Sequence, residues 1–600
     1  MKLLIQHGSD WLSFKDPVEV LTARTPDDVF QCLEKIERSG LWAAGFVSYE
    51  AAGAFDDALT THQPGSLPLL QFGLFHPPSL ESVGAAGAYE LGEWTPSVTR
   101  GEYFEAIASI KDHIAAGDTY QVNYTFRLNA DFKGDPFAFF CDLAAAQQGE
   151  FGAYIETDDF AICSASPELF FELKDGIITS RPMKGTLPRG LTFSNDWKAA
   201  EALKNSPKDR AENIMIVDMI RNDIGRIAEA GSVETLSHFD VEKYPTVWQM
   251  TSTVQGKLNV DATPSSRSLR KKKRDEGVAS TLGELFHALF PCASITGAPK
   301  AKTMELIQGL EKGPRGVYTG SIGFIAPDGT AQFNVAIRTA VIQDGKAEYG
   351  IGGGIVWDSD ADAEYEEAIT KSQILARRSP VPQRSCFQCL ETMLWEDGEI
   401  FLLERHLKRL AESAEYFDFE CNVDAIRKAL EETCRPRTLT RCSPGEGAGP
   451  TKIRLLLNKA GTFEVQEFEI KRGEGTASTL AVAKEPVDSS DVFLYHKTTN
   501  RAVYESAFAK ASADKEVDDV LLYNERGEVT ESCIANVVVE LDGKKVTPPV
   551  SCGLLAGTFR DELFESGEIE EGIVMLDELK RADSIWLINS VRKWRKAILA

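Results

Sequence analysis

The segment SPELFFELKDGIITSRPMKGT, from Ser166 to Thr186, contains the strongest short turn signal in the chain. Its Asp175-Gly176 step separates two apolar runs, and this dipeptide favours the tight turn of a β-hairpin. Folding there places Glu168 across from Met183 or, with one bulge, from Lys184, within cross-strand reach. One interpretation is a surface ion pair worth under ~1 kcal/mol. The other, which the aromatic neighbours favour, is a partly buried pocket where the lysine loses its proton and becomes nucleophilic.

Two later segments predict helices that carry carboxylates. RAENIMIVDMIRNDIGR puts Glu212 in line with apolar residues, and a carboxylate on such a face needs a partner. DADAEYEEAITKSQIL places Glu364, Glu367 and Lys371 on one helical stripe. Each helix taken alone reads as a solvated face. Taken together, they offer the oxygen ligands that Mg²⁺ requires when it bridges to a substrate carboxylate.

Three consecutive glycines, Gly352, Gly353 and Gly354, precede the second of these helices in YGIGGGIVWD. Their bare backbone amides are able to cradle a carboxylate. A glycine cluster is an unspecific signal on its own. The glycine run becomes informative because it occurs together with the other segments.

In order and spacing, these segments resemble the chorismate-utilising enzymes, which include anthranilate, isochorismate and aminodeoxychorismate synthases. The resemblance covers roughly residues 40–375 and rests on the motifs DTYQVNYT (118–125), SPELF, RPMKGT, RAENIMIVDMIRNDIGR, LFPCASITGAPKAKTMELI (289–307), FNVAIRT (333–339) and GIGGGIVWDSDADAEYEE. It implies Mg²⁺ held by Glu212 and Glu367 with Glu364 close by, and Glu168 as a general acid/base. The substrate-binding residues that it implies are Arg338, Lys371, Gly352, Gly353, Gly354, Thr296 and Gln249.

Position 184 distinguishes the subfamilies. Anthranilate synthases have alanine in this motif, whereas aminodeoxychorismate synthases have a lysine that attacks ring carbon 2 as the 4-hydroxyl leaves, before ammonia enters at carbon 4. Lys184 therefore implies 4-amination of chorismate. Gln249 departs from the histidine of many relatives, and an amide delivers no proton near neutral pH. More of the acid role then falls on Glu168.

The chain shows no glutaminase-type cysteine nucleophile followed by a His-Glu pair. We therefore expect ammonia to come from solution or from a separate glutamine amidotransferase subunit.

The second half contains the parts of a pyridoxal phosphate site. Lys497 follows the apolar run VFLY at the end of a predicted strand, Glu531 lies in VTESC, and Gly557-Thr558 offers backbone and hydroxyl donors for a phosphate. Most lysines in such a chain only aid solubility. A lysine, an acid for the pyridine nitrogen and a phosphate cup together are what this cofactor needs.

From Cys386 to about Trp594 the chain resembles the fold-type IV pyridoxal phosphate enzymes, a group that includes aminodeoxychorismate lyase and the branched-chain and D-amino acid aminotransferases. The resemblance implies that Lys497 carries the cofactor as a Schiff base and that Glu531 pairs with its ring nitrogen. The residues implied to bind its phosphate are Arg409, Gly557, Thr558 and Ser590. It also implies a homodimer formed through this half. The motifs separate lyase from aminotransferase poorly, and the fusion favours the lyase because the first half would make its substrate.

The expected fold is a mixture of α and β structure in two catalytic domains. Residues 1–375 form a chorismate-utilising αβ sandwich with large antiparallel sheets, 376–385 a linker rich in proline and arginine, and 386–600 a two-subdomain fold-type IV domain. The rivals are an anthranilate or isochorismate synthase joined to an aminotransferase, or a second half that serves only for dimerisation.

Composition excludes some partners. The chain has 65 basic and 91 acidic residues among 600, a net charge of −26, which disfavours nucleic acid. No apolar run approaches the ~18 residues that span a membrane, and the N-terminal segment is too polar for a secretory signal. We expect a cytoplasmic enzyme.

Overall fold

The computed structural model describes residues 1–84, 87–258, 282–376, 387–434, 450–470, 477–513 and 516–600. The predicted linker, apart from its first residue, lies outside the described residues. The chain divides into two compact units, the first made of Met1–Arg189 and Ala199–Pro380 and the second of Gly190–Lys198 and Val381–Ala600.

The described strands of the first unit form two large antiparallel sheets. They are β1 (Lys2–His7), β2 (Asp10–Phe14), β3 (Glu19–Ala23), β4 (Trp42–Val47), β5 (Leu70–Phe75), β6 (Ser79–Glu81), β7 (Tyr89–Leu91), β8 (Thr95–Pro96), β9 (Gln121–Gly134), β10 (Phe151–Glu156), β11 (Phe160–Ser166), β12 (Leu169–Lys174), β13 (Ile177–Arg181), β14 (Met183–Pro188), β15 (Glu234–Lys243), β16 (Val247–Lys257), β17 (Gly297–Ala298), β18 (Ser321–Ile325), β19 (Ala331–Val335), β20 (Thr339–Gln343) and β21 (Lys346–Ile355).

One sheet has the order β17-β9-β21-β20-β11-β10-β1-β2-β6, and β7 and β8 also pair with β9. The other has the order β14-β16-β13-β12-β19-β18-β4-β5-β3, with β15 on β16. Apolar side chains from both sheets, such as Ile5 and Phe14 from the first and Phe46 and Phe324 from the second, share one buried core. The prediction of large antiparallel sheets is confirmed.

The second unit has two smaller sheets, each with its own apolar cluster. Its described strands are β22 (Cys389–Glu396), β23 (Glu399–Ile400), β24 (Thr451–Leu457), β25 (Phe463–Glu469), β26 (Ser478–Val482), β27 (Asp519–Tyr523), β28 (Val529–Ser532), β29 (Asn536–Leu541), β30 (Lys544–Thr547), β31 (Glu570–Glu571), β32 (Ser584–Asn589) and β33 (Lys593–Leu599). The sheet orders are β23-β22-β24-β25 and β28-β27-β26-β33-β32-β29-β30-β31.

Helices accompany both pairs of sheets. Those described are α1 (Pro26–Ser39), α2 (Ala52–Phe55), α3 (Arg100–Ala116), α4 (Pro136–Gln147), α5 (Phe193–Asn205), α6 (Pro207–Gly225), α7 (Leu282–Leu289), α8 (Lys300–Leu310), α9 (Ala361–Ala376), α10 (Leu403–Tyr416), α11 (Val423–Thr433), α12 (Ala502–Ser512) and α13 (Thr558–Glu565). None of the described helices has the length and apolar character needed to cross a membrane.

The predicted hairpin at Asp175-Gly176 is present. Both turn residues have positive φ, 51° and 77°, as a two-residue turn between β12 and β13 requires. The ladder runs from Lys174 opposite Ile177 to Leu169 opposite Arg181, with one register shift on the way. Glu168 lies just beyond the last paired residue.

The VFLY run before Lys497 is not the end of a strand as predicted. Val492–Leu494 forms one turn of 3-10 helix, and the side chain of Asp491 caps it by accepting a hydrogen bond from the amide of Phe493. The carboxylate at the start of the run therefore outweighs the β-propensity of its apolar residues.

Candidate active sites

A cavity of about 180 Å³ in the first unit brings most of the predicted residues together. Four strands (β9, β14, β16 and β21), two helices (α6 and α9) and the segments between other elements supply its walls. The predicted residues that line it are Glu168, Lys184, Glu212, Gln249, Arg338, Gly352, Gly353, Gly354, Glu364, Glu367 and Lys371.

Glu168 is buried, with 3% of its surface exposed. Burial raises the pKa of this carboxyl to about 7, against hydrogen bonds from the Ser294 hydroxyl and the Met183 amide and the charge of Lys184, which lower it. The hydroxyl of Ser294 donates to Oε1 at 2.6 Å. A carboxyl with this pKa exchanges a proton near neutral pH, as a general acid must.

Lys184 lies on β14, and its Nζ is 3.3 Å from Oε2 of Glu212 on α6. Its amine also lies close to the glycine run, because a Cβ added to Gly354 would be only 2.3 Å from Nζ. The lysine is therefore held between one carboxylate and a stretch of bare backbone.

The three predicted metal ligands reach the cavity from two helices, Glu212 from α6 and Glu364 and Glu367 from α9. Ser359 donates to Glu364 at 2.7 Å, and Nζ of Lys371 lies 2.7 Å from Glu367. Burial raises the pKa of Glu364. Within the described ranges no three acidic, histidine or cysteine side chains are already arranged as a metal site. The donors are all carboxylate oxygens, and this set suits Mg²⁺.

The remaining residues predicted to bind substrate differ in the hydrogen bonds that their side chains already make. Arg338 has a positive φ of 53° and donates to the carbonyl of Lys371. The amide of Gln249 donates to the Gly185 carbonyl and accepts from the Thr186 hydroxyl, both at 2.8 Å. Thr296 does not line the cavity, since its hydroxyl donates to two backbone carbonyls of its own turn.

Gln121 lies within the DTYQVNYT motif, and the motif alone gives it no role. It is fully buried at the start of β9, and among the described residues neither atom of its side-chain amide has a hydrogen-bond partner. Its Nε2 lies 2.7 Å from the point where a Gly354 Cβ would stand. An orphaned buried amide beside Lys184 is a three-dimensional signal that no motif carries.

A second cavity, of about 490 Å³, lies wholly in the second unit. Every residue predicted to bind the cofactor lines it: Lys497, Glu531, Arg409, Gly557, Thr558 and Ser590. These residues come from five separate places in the sequence. The fold therefore collects them as the resemblance implied.

Lys497 and Glu531 are both buried in this cavity. Burial, then the charge of Arg409, lowers the pKa of the Lys497 amine to about 8. Burial raises the pKa of Glu531 to about 7, against the Tyr504 hydroxyl, which donates to its Oε1 at 2.8 Å. An amine with a lowered pKa is a ready nucleophile toward an aldehyde.

The phosphate-binding end is built from α13 and α10. Thr558 is the first residue of α13, whose backbone amides are available to an anion. A Cβ on Gly557 would lie 1.9 Å from Oδ1 of Asn536, so a larger residue there would force the Asn536 side chain to shift. Arg409 on α10 donates to the Ala556 carbonyl at 2.9 Å and lines the same cavity. The lysine, acid, arginine and helix start together fit pyridoxal phosphate.

The cavity has further cations that the sequence analysis did not identify. Lys452, Arg454, Arg501 and Arg592 line it in addition to Arg409 and Lys497, whereas Glu531 is the one acidic residue that lines it among the described part of the chain. Lys452 and Arg454 alternate on β24, so both side chains leave the same face of the strand. The excess of cations makes the cavity suited to an anionic substrate.

Two family models match the chain. The model for chorismate binding enzymes matches residues 84–377, and the model for amino-transferase class IV matches residues 388–598. Among solved structures, the anthranilate synthase component I from Streptococcus pneumoniae TIGR4 is similar with a TM-score of 0.52 and 24% identity, over 63% of this chain and 92% of that one. An identity at this level shows a shared fold.

Curated relatives match the first half. The chain is 41% identical over 278 residues to the aminodeoxychorismate synthase component 1 of Klebsiella aerogenes, covering 46% of this chain and 58% of that protein. It is 34% identical over 301 residues to the anthranilate synthase component 1 of Cereibacter sphaeroides, covering 50% and 56%. The chain thus spans less than two thirds of the length of these relatives. By these matches it joins a chorismate-binding enzyme domain to a class IV amino-transferase domain.

Proposed function

We propose that the chain makes 4-aminobenzoate in two steps. The first unit aminates chorismate to 4-amino-4-deoxychorismate with ammonia, and the second eliminates pyruvate from that product. The observation that carries the first step is Lys184, which lines one cavity with Glu168 and Glu212. The observation that supports the second step is that all six residues predicted to bind the cofactor line the larger cavity.

In the first unit, the amine of Lys184 is the nucleophile for ring carbon 2, and protonated Glu168 gives its proton to the departing 4-hydroxyl. Ammonia then enters at carbon 4 and the lysine leaves. The pKa of about 7 for Glu168 supports this acid role. Arg338, Lys371 and the amides of Gly352 to Gly354 would hold substrate carboxylates.

Mg²⁺ would be held by Glu212, Glu364 and Glu367. When bound, it would neutralise and orient a substrate carboxylate between two helices that are both acidic. Glu212 also pairs with Lys184 and, on its own helix, with Lys208.

Ammonia would come from a separate glutamine amidotransferase, as the first half lacks a glutaminase motif. A homodimer through the second unit also remains a prediction. Pull-down with a glutaminase subunit and sedimentation of the purified chain address these two points separately.

In the second unit, the lowered pKa of Lys497 leaves a larger share of its amine unprotonated near neutral pH than an ordinary lysine has. This amine would anchor pyridoxal phosphate and, once displaced, move a proton on the substrate. Glu531 would hold the proton of the ring nitrogen, and Arg409, Thr558 and the start of α13 would bind the phosphate. The cofactor supplies an electron sink for the carbanion.

The charge of the cavity favours the lyase over a branched-chain aminotransferase. 4-Amino-4-deoxychorismate carries two carboxylates, one on its ring and one on its enolpyruvyl ether, whereas a branched-chain amino acid presents one carboxylate and an apolar side chain. Four cations beyond Arg409 and Lys497 line this cavity. Such a set matches a dianionic substrate.

The test is to incubate the purified chain with chorismate, Mg²⁺ and ammonium, with and without pyridoxal phosphate, and to identify the products by mass. We expect 4-aminobenzoate and pyruvate with the cofactor and 4-amino-4-deoxychorismate without it. Anthranilate or isochorismate as the main product would overturn the first assignment. Amino transfer between added amino and keto acids, without pyruvate release, would overturn the second.

A further inference from the structure

Glu391 lies on β22 behind the phosphate-binding end of the larger cavity. Only 1% of its surface is exposed, and it is not among the residues that line the cavity. Its carboxylate accepts from Nε and Nη2 of Arg409, both at 2.8 Å, and Oε2 lies 2.6 Å from Nδ1 of His406. A buried carboxylate next to an anion-binding arginine weakens the attraction for phosphate, so its presence there needs a reason.

Glu391 is ionised despite its position. Burial alone would raise its pKa, but the charges and hydrogen bonds of Arg409 and His406 outweigh burial and hold the pKa well below its usual range. The two-point contact fixes the plane of the Arg409 guanidinium. Of its five N–H groups, two go to Glu391 and one to the Ala556 carbonyl. The two that remain belong to the terminal nitrogens and are left for a ligand in the cavity.

His406 forms a second branch from the same carboxylate. With Nδ1–H donated to Glu391, its Nε2 lies 3.3 Å from the hydroxyl of Thr558. Thr558 begins α13, and His406 and Thr558 are both buried. The carboxylate therefore fixes which nitrogen of the imidazole faces the phosphate cup.

We propose that Glu391 is a positioning residue for the phosphate of the cofactor: it orients Arg409 directly and Thr558 through His406. This inference rests on the proposed function only in requiring that Lys497 binds a pyridoxal compound. Glu391 does not line the cavity, although its charge also raises the pKa of the Lys497 amine. Because that influence on the amine is the same for any aldehyde, the positioning role is the part of its contribution that requires a phosphate on the ligand.

The test compares pyridoxal phosphate with pyridoxal, which has the same aldehyde and ring but no phosphate. The full chain without cofactor is titrated with each, and binding is followed by the visible absorbance of the lysine adduct. Losing hydrogen bonds to a charged group costs about 10- to 100-fold in affinity. We expect Glu391→Gln to weaken the binding of pyridoxal phosphate by about this factor. The affinity for pyridoxal should change by less than about threefold.

Two further variants keep the test decisive. Glu404→Gln removes a carboxylate of the same helix α10 that pairs with Arg427, and both ligands should bind it as they bind the unmodified chain. His406→Asn keeps a donor toward Glu391 and removes the contact to Thr558, so it should weaken pyridoxal phosphate alone, by a smaller factor. Should Glu391→Gln fail to fold, this variant decides between a phosphate-specific and a general role.

If Glu391→Gln or His406→Asn weakened the binding of pyridoxal phosphate and of pyridoxal by the same factor, the inference would be overturned. A residue with a merely structural role would affect the binding of both ligands. Unchanged binding of pyridoxal phosphate in both variants would overturn it as well. An unmodified chain that gives no adduct with either ligand would instead refute the cofactor role of Lys497, and the inference with it.

Discussion

Each unit contains a buried glutamate and a lysine in one cavity, and the two pairs differ in the state of the lysine. Glu168 and Glu531 both have a pKa raised to about 7 by burial, and each accepts a hydrogen bond from a neighbouring hydroxyl. Lys184 forms an ion pair with Glu212. Lys497 takes part in no ion pair found among the described residues, and burial lowers its pKa to about 8. The same two residue types are thus set up for different tasks.

This difference shows that Lys184 is held by a carboxylate, whereas the pKa of Lys497 is set by burial and by the charge of Arg409. The first site should therefore be sensitive to changes in its carboxylates, and the second to changes that alter burial or nearby cations.

The largest effect is expected from removing Lys497. Lys497→Ala should lower pyruvate release by about 10⁴-fold, because the same amine anchors the cofactor and moves a proton. The visible absorbance of bound cofactor should disappear, and 4-amino-4-deoxychorismate should accumulate at the normal rate. Pyruvate release at the original rate would show that the second site has been wrongly assigned.

Removing the carboxylates of the first site should have the next largest effect. Glu212→Ala and Glu367→Ala should each lower chorismate turnover by about 10³-fold, since a metal contributes several kcal/mol of charge stabilisation. Supplied 4-amino-4-deoxychorismate should be converted as before. A variant with full synthase activity would exclude that residue from the metal role.

Lys184→Ala should reduce 4-amination by about 10²–10³-fold, less than the loss at Lys497, because it removes a nucleophile but leaves Mg²⁺ and substrate binding in place. The measurement is the amount of 4-amino-4-deoxychorismate formed with ammonium, by mass. If the variant aminated carbon 4 at the original rate, attack by the lysine would not belong to the mechanism.

The hydroxyls next to the two glutamates allow a paired test. Ser294→Ala and Tyr504→Phe each remove a hydrogen bond to a carboxylate and should cost about tenfold in the corresponding half-reaction. Each loss raises the pKa of its glutamate. The alkaline limb of the synthase rate should then move to higher pH, since protonated Glu168 is the acid. The acid limb of the lyase rate should also move to higher pH, since ionised Glu531 is required.

The smallest effect is on stability. With a pKa near 7, Glu168 keeps a proton in the folded state that the unfolded chain has lost above about 4.5, so its contribution to stability falls as pH rises from about 4.5 to 7. Glu168→Gln removes this loss and should raise the free energy of unfolding at pH 8 relative to pH 4 by about 1–3 kcal/mol. Urea unfolding at both pH values measures it. If the variant changed the free energy of unfolding equally at pH 4 and pH 8, the argument that burial raises the pKa of Glu168 would be contradicted.

The sequence was sufficient to predict that motif residues such as Lys497 and Glu531 meet in one place, and both line the second cavity. It was insufficient where the role depends on partners distant in the chain. Glu391 reads as one polar position in a strand until Arg409 and His406 are seen to converge on it. Thr296 sits within a matching motif, yet its own turn uses its hydroxyl.

The contact between Gly354 and the Lys184 amine ties two positions of the chain together over the course of evolution. A side chain at 354 would occupy the space of that amine and of the Gln121 amide. A descendant that gained even alanine at 354 would have to move or lose its lysine, whereas one that had already lost the lysine would be freer to vary there. The two positions should therefore mutate together, and a homologue with lysine at 184 but a bulky residue at 354 should carry a compensating change nearby.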